Sequence, residues 1–352
     1  MKKVLIAVLL FFIIQLQGFA SEKPYINIAF AIDNNYPIFT LLAIDSMLKN
    51  NTSNANIRFF IVENNLTNYN KNKMRKFVEK RGQKIEFVNI DTKVIDDGIN
   101  YFTFSNRITP IAMARILLAT ILPKEIDKVL YLDGDILVTG NIQELYDFNF
   151  TNYPVAMAAN NYQAKHYLPC TAKCKRKHFY ANSGVILMDL NKWREENIPE
   201  QLLNYFKNNK KYFLFIEPSY GYSWDKKYFL YPDQDLLNVV LDGRIKPLPQ
   251  RWNNQVVNMR SMVDPYVPGI LHYIGAVKPW NFPEVFDRSN KLYMKYWDNS
   301  ELFLYKYIYG LKAFWKHYKY IYYYKFQRLR ENFRYYRLFI FEDTYIHFKK
   351  ER

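Results

Sequence analysis

The stretch Leu130-Tyr131-Leu132-Asp133-Gly134-Asp135-Ile136-Leu137-Val138 decides the fold. Apolar residues run up to a pair of carboxylates and resume after it. In an extended backbone residues i and i+2 point the same way, so Asp133 and Asp135 project to one side. Two carboxylates so placed repel each other unless a cation lies between them. Oxygen ligands suit Mg2+, Ca2+ or Mn2+, and Gly134 lets a ligand approach the backbone closely. A simple Asp-Gly surface turn is the competing reading. Flanks as apolar as these instead put the turn within the core.

Outward from that stretch, short apolar strands alternate with helices. Strands are expected at Ile26–Ile32, Ile57–Val62, Ile85–Ile90, Lys128–Leu132, Val155–Ala159 and Val185–Leu190. Helices are expected over Pro37–Leu48, Thr67–Lys80, Ile111–Leu122 and Asn191–Phe206, with Pro37 in the first turn of its helix. This alternation predicts an α/β fold with a mostly parallel central sheet and helices on both faces. Ligands on such sheets bind beyond the carboxyl ends of the strands. Lys207–Tyr231 reads as a long loop, a length uncommon without a function. A second chemical cluster, Leu271-His272-Tyr273-Ile274-Gly275-Ala276-Val277-Lys278-Pro279-Trp280, ends an apolar strand in an imidazole. His272 is a candidate ligand and Lys278 a candidate counter-charge for phosphate. Each taken alone reads better as a core histidine and a solvated lysine.

The chain has no Walker sequence and no Gly-x-Gly-x-x-Gly, which argues against a P-loop enzyme or a nicotinamide dehydrogenase. It also lacks a Gly-x-Ser-x-Gly elbow. Among its 352 residues are 49 Lys and Arg against 33 Asp and Glu, a net charge of +16. Residues are 49% hydrophobic, which excludes intrinsic disorder. Two cysteines exclude a disulfide scaffold.

The charge is uneven. Residues 291–352 carry 14 Lys and Arg against 6 Asp and Glu, with 22 of the 64 aromatics. Basic and aromatic residues interleave there with almost no Gly and no Pro, so the segment is expected to be helical. Such a helix suits an anionic membrane surface. Nucleic acid is not an expected partner, because no nucleic-acid module accompanies the tail. His166, Cys170, Cys174 and His178 recur every four residues. On one helix that row makes a stripe rather than a tetrahedral zinc site, leaving a local disulfide or two free thiols.

The N-terminus reads as a secretory signal or a short anchor over residues 1–20, with Lys2 and Lys3 before an apolar run from Val4 to Ile14. Export or a secretory compartment is the expectation, with the cytoplasmic face of a membrane as the alternative. Sequons at Asn50, Asn51, Asn65 and Asn149 are compatible with a secretory route.

Taken in order, the segments resemble glycosyltransferase family 8, retaining enzymes that include bacterial lipopolysaccharide galactosyl- and glucosyltransferases. The resemblance is carried by Phe30-Ala31-Ile32-Asp33-Asn34-Asn35-Tyr36, Ala114-Arg115, Asp133-Gly134-Asp135, Asn182-Ser183-Gly184-Val185, Asp233-Gln234-Asp235 and His272 to Trp280. It implies a GT-A, Rossmann-like catalytic domain over 25–283, which leaves the basic, aromatic segment over 284–352 as the helical tail expected from its composition. It also implies a UDP-sugar donor, Mn2+ held by Asp133, Asp135 and His272, and transfer of glucose or galactose. The acceptor implied is a saccharide or glycolipid such as lipopolysaccharide core. Asp33, Asn35 and Tyr36 would meet the nucleoside, with Gly134 beside them on the donor. Lys278 and the Gly275 backbone would meet the diphosphate. Arg115, Asn182, Asp233 and Gln234 would line the sugar as the catalytic set. The competing classes are a non-catalytic carbohydrate- or membrane-binding protein on this fold and another metal-dependent nucleotide transferase.

Overall fold

A computed structural model describes residues 25–53, 55–90, 110–160, 179–209, 232–257, 260–261, 263–274, 278–281 and 287–311. The chain divides into two compact units, residues 1–276 and 277–352. The N-terminal segment, the cysteine-containing stretch and residues 312–352 lie outside the described residues.

In the first unit, chain order runs β1 (Ile26–Ile32), α1 (Pro37–Asn50), β2 (Ile57–Glu63), α2 (Asn68–Glu79) and β3 (Lys84–Asn89). A 3₁₀ segment Pro110–Leu117 leads into α3 (Leu118–Ile121), β4 (Lys128–Leu132), β5 (Ile136–Val138), α4 (Ile142–Tyr146) and β6 (Val155–Ala159). There follow β7 (Ala181–Asp189), α5 (Leu190–Glu195), α6 (Ile198–Asn208), α7 (Pro232–Val240) and β8 (Ile245–Leu248). A 3₁₀ turn, Gln250–Asn253, precedes β9 (Asn254–Val257), β10 (Arg260–Ser261) and β11 (Ile270–His272).

Among the described residues, seven strands form the central sheet in the order β3-β2-β1-β4-β7-β6-β8. All run parallel except β7, which pairs antiparallel with both β4 and β6. Alternation sends Ala29, Phe60, Val62, Val129, Tyr131, Met157, Ile186 and Met188 to one face, against residues of 110–121, α5, α6 and α7. The opposite-pointing Ile28, Phe30, Phe59, Ile61, Leu130 and Leu132 are equally buried. That side receives α1, whose Thr40 lies near Ile32 around Gly134. The expected α/β sheet with helices on both faces is therefore present.

A second sheet, β10-β9-β11-β5, grows from the residues just after Asp135. Its β5 binds α1 through Val138 N–H donating to Ser46 Oγ at 3.0 Å. With sheet on both sides, α1 is buried along nearly its whole length rather than along one stripe.

Two helical expectations change. Residues 110–117 form a 3₁₀ segment rather than α-helix, in which residues three apart eclipse. This brings Arg115 Nε to the Ala112 carbonyl at 2.8 Å. The helix expected over Asn191–Phe206 is two helices, because Asn197 turns left-handed with φ 51°. Asn tolerates that region, and Pro199, lacking an N–H, fits the first turn of α6.

In the second unit, α8 (Arg288–Asp298) is capped by Asp287, which accepts from Ser289 N–H at 3.1 Å. Tyr293 meets Trp280 and Trp297, each at 5.8 Å between ring centroids. The Trp297 indole donates to the Leu302 carbonyl at 2.9 Å. Residues 303–311 are helical. Phe303, Leu304, Tyr307, Ile308 and Leu311 are exposed there at helical spacing. Among the described residues no helix is long and apolar enough to cross a membrane.

Candidate active site

The reversed direction of β7 assembles the site. Because β7 starts where β4 ends, Leu132 pairs with Val185. The Asp133 N–H then donates to the Gly184 carbonyl at 2.9 Å. The second sheet supplies the imidazole: β11 runs antiparallel to β5 with His272 opposite Ile136. Tyr273 N–H donates to the Asp135 carbonyl at 2.9 Å. Two sheets thus bring residues from positions 133, 135 and 272 to one point. Ligand atoms of Asp133, Asp135 and His272 all lie within 4.8 Å of one another.

His272 Nε2 faces Asp135 Oδ1 at 3.3 Å and Asp133 Oδ2 at 3.6 Å. Its Nδ1 meets Asn253 Oδ1 at 2.9 Å. Two carboxylates and one imidazole are a donor set for a divalent cation, and the surroundings fit one. Gly184 leaves room that any side chain would take: a Cβ there would stand 2.1 Å from His272 Cε1 and 2.8 Å from Asp133 Oδ2.

Arg115 is buried beside this set. Its guanidinium bridges Asp133 Oδ1 at 3.0 Å and Asp233 Oδ2 at 3.2 Å. It also donates to the Ser183 carbonyl at 2.7 Å and to Ser183 Oγ at 2.9 Å. Its flat face lies over the Tyr131 ring, 4.7 Å from the centroid. Burial pulls against its charge, but the Asp133 and Asp233 carboxylates outweigh burial and raise its pKa, so the guanidinium stays cationic. The Tyr131 hydroxyl donates to the same Asp133 oxygen at 2.8 Å. Burial keeps that phenol protonated. Asp133 Oδ1 is therefore taken by Arg115 and Tyr131, while Oδ2 is the oxygen turned toward His272.

Beyond Arg115 lies a cluster of amides. Asp233 and Gln234 sit in the first turn of α7. Ser183 Oγ donates to Asp233 Oδ2 at 2.9 Å. Gln234 Oε1 accepts from Asn182 Nδ2 at 3.0 Å and from the Ser183 N–H at 3.2 Å. Gln234 Nε2 donates to the Tyr180 hydroxyl at 2.8 Å, which donates onward to Asp235 at 2.6 Å. Asn182 Oδ1 accepts from Gly184 N–H at 3.0 Å and Asn253 Nδ2 at 2.9 Å.

At the end of β1, Asp33 closes a turn by accepting from Asn35 N–H at 2.8 Å. Asn34 ties that turn to the start of α2, donating to the Asn65 carbonyl at 2.7 Å and accepting from Thr67 N–H at 2.9 Å. Tyr36 and Thr40 crowd Gly134, whose added Cβ would stand 3.0 Å from Thr40 Oγ1 and 3.1 Å from Tyr36 Cδ1. Burial, then Asp135, Asp133 and Asp33, raise the Tyr36 pKa, so this phenol is neutral.

The fold therefore gathers Asp33, Tyr36, Arg115, Asp133, Gly134, Asp135, Asn182, Asp233, Gln234 and His272 beyond the carboxyl ends of β1 and β4. Asn35 is exposed on the Asp33 turn. Lys278 belongs to the second unit, where its carbonyl accepts from Asn281 N–H at 3.0 Å. Gly275 lies outside the described residues. Sequence reasoning assigned no role to Tyr131, Tyr180, Ser183, Gly184 or Asn253. The one available signal was the run Asn182-Ser183-Gly184, polar residues ahead of an apolar strand.

The model of glycosyl transferase family 8 matches residues 27–283. General stress protein A of Bacillus subtilis is 26% identical over 274 residues, covering 74% of this chain and 89% of that protein. Lipopolysaccharide 1,2-glucosyltransferase of Escherichia coli K12 is 24% identical, covering 73% of each. Lipopolysaccharide 1,3-galactosyltransferase of Salmonella typhimurium is 23% identical, covering 74% of each. The crystal structure of galactosyltransferase LgtC with donor and acceptor sugar analogs superposes with a TM-score of 0.63 at 21% identity. That match covers 80% of this chain and all of LgtC, a likeness of fold.

Proposed function

The chain belongs to glycosyltransferase family 8, and from that premise we propose that it is a retaining hexosyltransferase using a UDP-sugar and Mn2+. Glucose or galactose is the sugar, and a saccharide or glycolipid such as lipopolysaccharide core is the acceptor. The carrying observation is the convergence of Asp133, Asp135 and His272 within 4.8 Å beside the Arg115 and Gln234 cluster. Mn2+ accepts a mixed carboxylate and imidazole set more readily than Mg2+ or Ca2+ do. The names of the Escherichia coli and Salmonella relatives support a hexose.

When bound, the cation would supply Lewis-acid stabilisation of charge on the departing diphosphate. The protein's own groups do the rest. Arg115 and Tyr131 fix Asp133 so that Oδ2 remains for ligation. Tyr36 and the Asp33 turn would meet the nucleoside. Asp233, Gln234 and Asn182 line the sugar. Retention often uses a carboxylate nucleophile on the far face of the ring. Here Gln234 Oε1 already accepts two hydrogen bonds, and the Asp233 carboxylate is paired with Arg115. A front-face route fits better. The acceptor oxygen bonds to the anomeric carbon as its bond to the phosphate oxygen breaks. The acceptor's proton passes to that phosphate oxygen.

The test is a screen of the purified full chain against UDP-sugars and nucleoside triphosphates. UDP release from UDP-glucose or UDP-galactose is expected, rising with acceptor, restored by Mn2+ and stopped by chelation. Silence with every UDP-sugar would remove the reading. A covalent sugar on Gln234 or Asp233, read by mass spectrometry, would replace the front-face route.

The same proposal includes an anionic membrane surface as the setting of the reaction. It is supported by the exposed row Phe303, Leu304, Tyr307, Ile308 and Leu311, followed by the basic, aromatic sequence to Arg352. Apolar rings and aliphatics would enter the headgroup layer while Lys and Arg meet lipid phosphates. In co-sedimentation, the protein is expected to bind vesicles containing anionic lipid, to ignore neutral ones, and to release as salt rises. Leu304→Ser with Ile308→Ser should weaken that binding at unchanged salt.

A further inference from the structure

We propose that Asn253 is a positioning residue that selects the metal-binding tautomer of His272, and that a one-way hydrogen-bond chain ending at Asp235 sets the orientation of Asn253. The inference rests on the metal-dependent reading above, and its test reads cation binding rather than transfer.

Each link in the chain has only one direction open to it. Asp235 is a carboxylate and accepts only, so the Tyr180 hydroxyl donates to it at 2.6 Å. Burial keeps that phenol protonated, with Asp235 adding to the effect. The Tyr180 oxygen then accepts, and Gln234 offers its Nε2 at 2.8 Å. That turns Gln234 Oε1 toward Asn182, which must present Nδ2, at 3.0 Å. Asn182 Oδ1 then faces Asn253, which must present its own Nδ2, at 2.9 Å. Asn253 is left with only its carbonyl oxygen for His272, at 2.9 Å from Nδ1. An imidazole Nδ1 facing an oxygen must carry a proton, and the neutral ring then offers its lone pair at Nε2. Nε2 is the nitrogen that faces Asp133 and Asp135.

Amide orientation is ordinarily ambiguous, but two backbone donors settle it here. Ser183 N–H points at Gln234 Oε1 and Gly184 N–H at Asn182 Oδ1. A main-chain N–H cannot accept, so neither amide can turn over without facing donor to donor. The chain is buried throughout, where a mismatched amide is costly. Partners behind a ligating imidazole commonly govern affinity for the metal.

Two substitutions at Asn253 separate this role from general support of the fold. Asn253→Ala removes the acceptor behind His272. Asn253→Asp keeps an acceptor, now anionic, toward Nδ1 but has no donor for Asn182 Oδ1. Mn2+ binding to the metal-free full chain would be followed by the electron paramagnetic resonance signal of free Mn2+. Asn253→Ala is expected to lose affinity roughly tenfold to a hundredfold. Asn253→Asp is expected to bind Mn2+ at least as tightly as the parent. It should lower turnover, because Asn182 and Gln234 lose their orientation. Parent-like binding by Asn253→Ala, or equal losses in both variants, overturns the proposal. Mn2+ binding reads out even if no UDP-sugar is turned over, so failure of the donor assignment is seen separately.

Discussion

Gly184→Ala is expected to abolish cation binding and sugar transfer while the protein remains folded. The added methyl would meet His272 Cε1 at 2.1 Å, Nδ1 at 2.7 Å and Asp133 Oδ2 at 2.8 Å. Contacts this short force something to move, and both flanking strands are held in place. On one side β7 is locked to β4 by pairing from Lys128–Asp189 to Leu132–Val185. On the other, His272 of β11 is paired with Ile136 of β5 and held from behind by Asn253. The imidazole is the smallest group that can yield, and moving it breaks up the Asp133, Asp135 and His272 cluster. Overpacking of this kind costs about 1–3 kcal/mol of stability, which a core this extensive survives. Loss of Mn2+ affinity should exceed the roughly hundredfold upper range seen for partners behind a ligand. Gly134→Ala is the matched control. Its methyl would meet Thr40 Oγ1 at 3.0 Å and Tyr36 Cδ1 at 3.1 Å, side-chain atoms that yield by tenths of an ångström. It should retain measurable Mn2+ binding. Circular dichroism together with a Mn2+ titration checks both, and parent-like affinity in Gly184→Ala would contradict the assigned site.

The difference between those two glycines shows what the sequence could reveal. Gly134 stands between two carboxylates at the end of an apolar strand, a local pattern that names its own environment. Asp133 and Asp135 were legible for that reason, whereas His272, which alone reads as a core histidine, was legible only through the ordered set of motifs. The constraint on Gly184 is tertiary: it arises from β7 running against β4 and from β11 arriving through the second sheet. No spacing within residues 181–189 encodes a ring at position 272. Asn253 was hidden similarly, in the polar run Asn253-Asn254-Gln255, where neither helical nor strand periodicity stands out. The helix expected over residues 111–122 followed the apolar run correctly but could not register the tighter 3₁₀ winding. That winding goes with burial of the Arg115 guanidinium against Ser183, Asp133 and Asp233. Strand positions were legible because alternate residues fill two buried faces. The reversal of β7 was not, since an apolar strand reads the same in either direction.

Arg115→Met is expected to unfold the metal-free protein at markedly lower denaturant and to make its stability depend on Mn2+. Arg115 is the shared counter-ion of Asp133 and Asp233. Methionine keeps most of the stem but removes the cation that both carboxylates share among the described residues. Removing one partner of a buried ion pair costs about 3–5 kcal/mol. Asp133 retains 24% side-chain exposure, so solvent relieves part of its share and the low end, about 3 kcal/mol, is expected. The same change should leave the Asp133, Asp135 and His272 set more negative, because the fixed cation beside Asp133 is gone. A divalent ion then supplies positive charge at Asp133 in place of the guanidinium, and binding to the native state alone stabilises it by mass action. Mn2+ should therefore raise the urea midpoint of Arg115→Met by more than it raises that of the parent. Turnover should stay low even at saturating Mn2+, since Asp233 has lost its orienting partner and Asp133 Oδ1 keeps only the Tyr131 hydroxyl. Arg115→Lys should recover much of the stability but little of the turnover, because one ammonium cannot span both acids as the planar guanidinium does. Urea titrations of the three proteins with and without Mn2+ decide the matter. Equal stabilisation of parent and Arg115→Met by Mn2+ would mean that the guanidinium and the cation do not share the charge of Asp133.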